Sequence, residues 1–177
     1  MSHRLSRLAA LIALLCLPVA TTSTAVVAND APLISATVDD PTYLSFGVGY
    51  FDVLDDSEAV EFRAEYRSGA LFWIFKPFAG VMATSEASFY GYGGVFSDFH
   101  VGRRWVFSPS IAAGLYEDGD GKDLGHTVEF RSAIEAAYQF DNRSRLGILF
   151  YHISNAGLGD HNSGTEVLGL SYSLPID

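Results

Sequence analysis

Between residues 43 and 174 the chain alternates apolar and polar residues with a period of two, and no stretch keeps a helical period. The clearest example places Val60, Phe62, Ala64 and Tyr66 between Glu61, Arg63, Glu65 and Arg67. Successive side chains of a strand point to opposite faces, so each such stretch has one apolar and one polar side. Eight strands are expected, over 43–53, 59–67, 71–83, 88–100, 105–116, 126–140, 143–154 and 166–174. Ser68-Gly69 and Asp141-Asn142 read as tight turns, and 117–125 as an acidic, glycine-rich loop. Pro77 removes a ladder donor, which predicts a bulge or irregularity in the third strand. The tyrosine- and glycine-rich fourth strand has no obvious faces. No repeat of 20 to 50 residues is present.

Eight antiparallel strands with one apolar face predict an all-β chain closed into an up-and-down barrel. Alternation alone allows two versions. A soluble lipocalin-like lipid carrier would turn the apolar face inward. A transmembrane barrel would turn it outward and fill the interior with small and charged residues. Three features favour the membrane. The polar face mixes Gly, Ser and Ala with balanced Glu and Arg, which suits a narrow packed lumen. Tyr66, Tyr138, Phe140 and Tyr172 lie near the ends of the apolar face, like an interfacial girdle. Connections after strands five and seven are long, whereas those after two, four and six are short, as expected of outer loops and periplasmic turns.

The N-terminus reads as a secretory signal. Arg4 and Arg7 precede an apolar run from Leu8 to Ala20, and small residues surround Ala25 and Ala28. That run has thirteen residues, short of the ~20 that a spanning helix needs. The expected division is a cleavable signal peptide at 1–28 and a single barrel domain at 29–177. Cleavage would remove Cys16, the only cysteine, so the barrel would have no disulfide. The whole chain carries a net charge of -10, and no basic stripe offers itself to nucleic acid. Gly91-Tyr92-Gly93-Gly94 lies inside a strand with no helix after it, which excludes a nucleotide loop. The run 118–123 lacks the spacing of a calcium-binding EF-hand and reads as a solvated turn. Acidic outer loops beside anionic headgroups would meet them through divalent cations.

The chemistry gathers in the last hairpin, 145–175. One face of its first strand carries Leu146, Ile148, Phe150, His152 and Ser154. One face of its second carries Glu166, Leu168, Leu170, Tyr172 and Leu174. A nucleophile, a base and an acid that can orient the base therefore stand at the loop end of an apolar surface. Symmetric closure of the 155–165 loop would put Ser154 opposite Glu166 and His152 diagonal to it. In this pattern Ser154 is the nucleophile, His152 the base and Glu166 its orienter, on a substrate that is a lipid. Asn155 is a further candidate, as an oxyanion donor or as an orienter of Ser154. Asp160 and His161 fit no pattern, and His161 sits mid-loop with no fixed face.

The run His152-Ile153-Ser154-Asn155-Ala156-Gly157-Leu158, followed by Asn162, Gly164 and Glu166, closely resembles the signature of the outer-membrane lipid A 3-O-deacylases of the PagL type. The resemblance implies an eight-stranded barrel in the outer membrane of a Gram-negative bacterium. It also implies an esterase releasing the 3-hydroxyacyl chain from the 3-position of lipid A, without cofactor or metal. It assigns the same roles to Ser154, His152 and Glu166, and nominates the Gly157 backbone N–H and the Asn162 side chain as the oxyanion hole. Lipopolysaccharide and outer-membrane lipids are the expected partners, and a homodimer is compatible with the pattern. The rival readings are a non-catalytic barrel, adhesive or structural, and the soluble carrier.

Overall fold

The computed structural model describes residues 34–35, 39–55 and 57–176. The strands are β1 (Ile34–Ser35), β2 (Tyr43–Phe51), β3 (Ala59–Arg67), β4 (Lys76–Thr84), β5 (Phe89–Phe96), β6 (Phe99–Val101), β7 (Trp105–Glu117), β8 (Val128–Gln139), β9 (Arg145–Ser154) and β10 (Thr165–Pro175). Eight of them close on themselves in the order β2-β3-β4-β5-β7-β8-β9-β10, with β10 paired to β2. Closure leaves no edge, which is what a sheet in hydrocarbon requires. The expected leader, 1–28, lies outside the described residues.

The expected fourth strand is one run broken in two. β5 pairs with the upper part of β7 and β6 with its start. Pro109 of β7 accepts a hydrogen bond from the Ser97 N–H at 3.1 Å. Having no N–H of its own, it returns nothing to the facing chain, and the ladder parts there. β1 pairs with β6 beyond the break.

Burial decides the direction of the faces. Ile111, Ile134, Ile148 and Leu170 are each more than half exposed, whereas Glu61, Glu65, Arg131 and Glu135 are buried. The soluble carrier is thereby overturned, since it needs the reverse. The barrel is the transmembrane kind, apolar outside and polar within.

Inside, the strands fit by size. β2 presents Ser45, Gly47 and Gly49 to the lumen, opposite Glu65, Arg63 and Glu61 of β3. A Cβ on Gly47 would lie 2.3 Å from the Arg63 guanidinium, and one on Gly49 would lie 2.7 Å from a Glu61 carboxylate oxygen. The glycine face makes room for the charged face. Arg63 pairs with Glu61 at 3.2 Å, Arg131 with Glu65 at 3.4 Å, and Arg67 with Glu135. Tyr92 and Tyr151 donate to Glu65 and Glu61 at 2.7 and 3.1 Å. The undecided faces of β5 resolve as Tyr90, Tyr92 and Phe96 inward, packed with Phe78, Met82 and Tyr116. The void among Glu65, Arg67, Phe78, Phe96, Arg131 and Glu135 is about 10 Å³. Such a space holds a single water, so no substrate enters the lumen here.

Two expectations fail in the β3–β4 connection. Ser68-Gly69 is not a tight turn, and the next strand begins at Lys76 rather than residue 71. Residues 68–75 instead form a small hairpin tip, closed by the Phe72–Phe75 pair. Pro77 makes no bulge either, because Lys76, Pro77 and Phe78 pair in unbroken register with Phe96, Val95 and Gly94. Its carbonyl accepts from the Ser68 N–H at 3.0 Å. Its missing donor therefore faces the point where β3 ends, and the β5 side of the ladder loses nothing.

The loops 52–58, 85–88, 118–127 and 155–164 share one end of the barrel. The connections 68–75, 102–104 and 140–144 share the other. The two longest loops, 118–127 and 155–164, mark the outer end, and the opposite end is the periplasmic one. At the periplasmic end Asp40 bonds Lys76 at 2.6 Å, Arg145 at 2.7 Å and His100 at 3.0 Å, while Asp98 takes a second bond from each of the first two. Among the described residues Asp40, Asp98 and His100 converge closely enough to suggest a metal site. Lys76 and Arg145 already neutralise the two carboxylates there, and the arrangement is a salt-bridged floor.

Candidate active site

His152 and Ser154 end β9, and Glu166 begins β10, all three on the membrane-facing wall near the outer end. The register differs from symmetric closure. Glu166 stands directly opposite His152, and Thr165 opposite Ile153. The ladder ends there, because Gly164, with φ of +59°, leaves the extended form before it could pair with Ser154. A Cβ on Gly164 would come within 2.9 Å of the His152 ring. That glycine thus lets the loop close over the imidazole.

His152 Nδ1 lies 2.9 Å from Glu166 Oε1. With Nδ1–H donated to the carboxylate, Nε2 is left carrying the lone pair. Ser154 is the next residue on the same face, ~6.5 to 7 Å away at Cα. On its other side His152 faces Ser132 of β8, and Ser154 faces Phe130. Continuing across the wall, Phe130 faces Ala113, and Ala113 faces Gly93. Small residues at Ser132, Ala113 and Gly93 leave a groove of about 490 Å³, running from β5 to His152 and Ser154 between Ile111 and Phe130. Its walls are almost wholly apolar, and it opens sideways into the membrane.

The β9–β10 loop is organised by Asn155, which is fully buried. Its amide donates to the carbonyls of Leu124 and His161 at 2.9 and 2.7 Å, and its Oδ1 accepts from the Gly157 N–H at 2.8 Å. Ala156 and Gly157 both have positive φ, a tight Asx turn beside Ser154. The Asn155 N–H donates to Asn162 Oδ1 at 3.1 Å. That bond fixes the Asn162 amide with its Nδ2 as the donor end. Asn155 therefore has the geometry of an orienter. His161 is exposed, 3.7 Å from Asp123, and Asp160 is exposed too.

A second set of residues gave no sequence signal, because its members lie in three different segments. Asp52 is fully buried, with φ +60°. It accepts from Thr165 Oγ1 at 3.0 Å and from Lys122 at 2.6 Å, and Lys122 also reaches Asp55 at 2.9 Å. Burial alone would lower the Lys122 pKa. The bonds to Asp52 and Asp55 outweigh it and hold the ammonium above its ordinary value. The Val53 N–H donates to the Glu166 carbonyl at 3.0 Å. The β2–β3 and β7–β8 loops are thus latched to the residue that holds His152.

The fold and the wall site together define a membrane-spanning barrel that carries hydrolase-type side chains on its lipid-facing surface. Residues 45–175 match the family model described as lipid A 3-O-deacylase (PagL), and the chain belongs to that family. It is 38% identical over 55 residues to the lipid A deacylase PagL of Pseudomonas aeruginosa, a stretch covering 31% of this chain and 32% of that relative. That alignment spans about a third of the curated relative's length. Among solved structures the barrel is similar to the crystal structure of the outer membrane enzyme PagL. There the TM-score is 0.65 at 20% identity, over 76% of this chain and 99% of that one. It is also similar to a designed transmembrane β-barrel, with a TM-score of 0.57 at 11% identity, over 79% of this chain and all of that one. At these identities the likeness is one of fold.

Proposed function

We propose that this chain is an outer-membrane esterase that removes the 3-O-linked 3-hydroxyacyl chain of lipid A. The observation that carries the reading is the His152–Glu166 bond of 2.9 Å beside Ser154, at the end of an apolar groove open to the membrane. Family membership supplies the substrate class and the ester position.

In this reading an acyl chain lies in the groove from Ser154 toward Gly93, which presents its ester carbonyl to Ser154. Ser154 Oγ attacks, and His152 Nε2 takes its proton. Glu166 keeps the proton on Nδ1 and stabilises the imidazolium as it forms. The Asn162 Nδ2 group donates to the developing oxyanion. The Gly157 N–H would be the second donor once it leaves the Asn155 side chain. His152 then returns the proton to the departing sugar hydroxyl, and water releases the fatty acid from Ser154. Asn155 orients the loop rather than touching substrate.

The test is mass spectrometry of lipid A from cells with and without the chain. Loss of one 3-hydroxyacyl mass is expected with the wild type only. Ser154→Ala and His152→Ala should each lower turnover by several orders of magnitude, and Glu166→Gln by less, because the orienting acid is the most dispensable member. Unchanged lipid A in wild-type cells, or full activity in Ser154→Ala, would return the chain to the non-catalytic barrels.

A further inference from the structure

The hairpin tip at residues 68–75 is exposed, apolar and unused by the proposed chemistry. From Ser68 to Phe75 it carries no charge, and it reads Leu71-Phe72-Trp73-Ile74-Phe75 at its end. Phe72 is 82% exposed and Trp73 76%, with Leu71 and Phe75 also exposed. Two reciprocal hydrogen bonds between Phe72 and Phe75, at 2.8 and 3.0 Å, close a two-residue turn over Trp73 and Ile74. Trp73 adopts φ +61° there, a conformation that hairpin turns normally give to glycine. A bulky residue held in that region is strained. The Trp73 and Phe75 rings meet edge to face at 5.9 Å. The base of the tip is fastened. The Gly69 N–H donates to Thr42 Oγ1 at 3.3 Å, and a Cβ on Gly69 would lie 2.5 Å from the Asp40 carbonyl. The aromatic end thus projects from a fixed root.

Position says what covers it. The tip prolongs β3 and β4 at the periplasmic end, the end opposite His152 and Ser154. Tyr66, exposed at the end of β3, stands at its root, and elsewhere around the same end the outer wall carries the exposed aromatics Trp105 and Phe140, with Tyr138 packed between them. These belong to the face that meets lipid. An uncharged aromatic tip rooted at Tyr66, at the end of the barrel that carries such aromatics, suits the boundary between headgroups and acyl chains, where the indole keeps its N–H wet and its ring dry.

We infer that the 68–75 tip is a membrane anchor whose Leu71, Phe72 and Trp73 insert into the phospholipid leaflet on the periplasmic side. It fixes the depth of the barrel from the leaflet opposite the wall site. The inference rests on the fold and not on the proposed hydrolysis.

The chain has two tryptophans, Trp73 and Trp105, which makes fluorescence a direct test. Trp105→Phe leaves Trp73 as the only emitter. The variant is folded into phosphatidylcholine vesicles at low protein-to-lipid ratio, with bromine on the acyl chains either near the headgroup or near the chain end. Headgroup-proximal bromine should remove most of the Trp73 emission, chain-end bromine much less, and aqueous acrylamide little. Free quenching by acrylamide with no effect of bromine would overturn the anchor. Protection from both quenchers would also overturn it, by placing a second copy of the chain over the tip. If Trp105→Phe does not fold, the difference between wild type and Trp73→Phe gives the same reading.

Discussion

One residue packed against the His152 ring has no reactive group. Gly164 sits at φ +59° with its Cα against the His152 ring. Alanine there would face two penalties: a left-handed conformation costing about 1 kcal/mol, and a methyl carbon 2.9 Å from the imidazole. We expect Gly164→Ala to keep the barrel folded and to lower turnover at least tenfold by pushing His152 away from Glu166. Heat-modifiable migration on a gel checks the first part and deacylation kinetics the second. Wild-type turnover would show that the ring is not held by this contact. That His152, Ser154 and Glu166 share one apolar face follows from alternation alone, and burial turns that face outward. That Glu166 faces His152 and not Ser154 depends on the register of β9 with β10, which residue pattern does not encode. Asn155 was open between donor and orienter for the same reason, since its buried amide bonds go to carbonyls of Leu124 and His161.

At the scale of elements, strand patterns and most turns were legible, and the β3–β4 connection was not. β3 and β8 read directly, because each alternates charge with bulk against a single lumen. Residues 71–75 read as strand because Leu71 to Phe75 is apolar without a break, and an exposed apolar turn has the same composition as a buried strand. The latch between loops was invisible for a different reason: Asp52, Lys122 and Thr165 are far apart in sequence and meet only after closure. It yields a prediction. Lys122→Met removes the ion pairs to Asp52 and Asp55, which frees the β2–β3 loop that bonds the Glu166 backbone at Val53. Turnover should fall several-fold, with faster amide exchange at Val53. In a Glu166→Gln background the same substitution should cost little more, since residues that act through one group are not additive. Equal losses in both backgrounds would separate the latch from Glu166.

For the whole molecule the apolar exterior and the charged interior make opposite demands. An arginine on the lipid face near mid-membrane costs ~2 to 4 kcal/mol. Ile134, more than half exposed on β8, should therefore lose insertion into vesicles when changed to Arg. Ala133, which points inward against the core, should instead fail by crowding, with the variant compact in detergent but less heat-stable. Equal insertion of Ile134→Arg and wild type would argue against the outward face.

The interior obeys electrostatics that can be tested by pH at its floor. Burial alone would raise the Asp40 pKa, but the bonds with His100, Arg145 and Lys76 outweigh it and hold the carboxyl below its ordinary range. A carboxyl whose pKa is depressed by folding stabilises the fold at every pH above its unfolded value of about 3.9. That contribution fades as pH falls below this value toward the lowered one. Asp40→Asn should thus cost about 3 kcal/mol at neutral pH, the order expected when one partner of a buried pair is removed. The difference from wild type should shrink once the pH drops below about 4, where the wild-type carboxyl begins to lose its advantage. Thermal unfolding of both proteins in detergent across that range is the measurement. A gap of constant size down to strong acid would mean that Asp40 holds the floor by shape and hydrogen bonding rather than by charge.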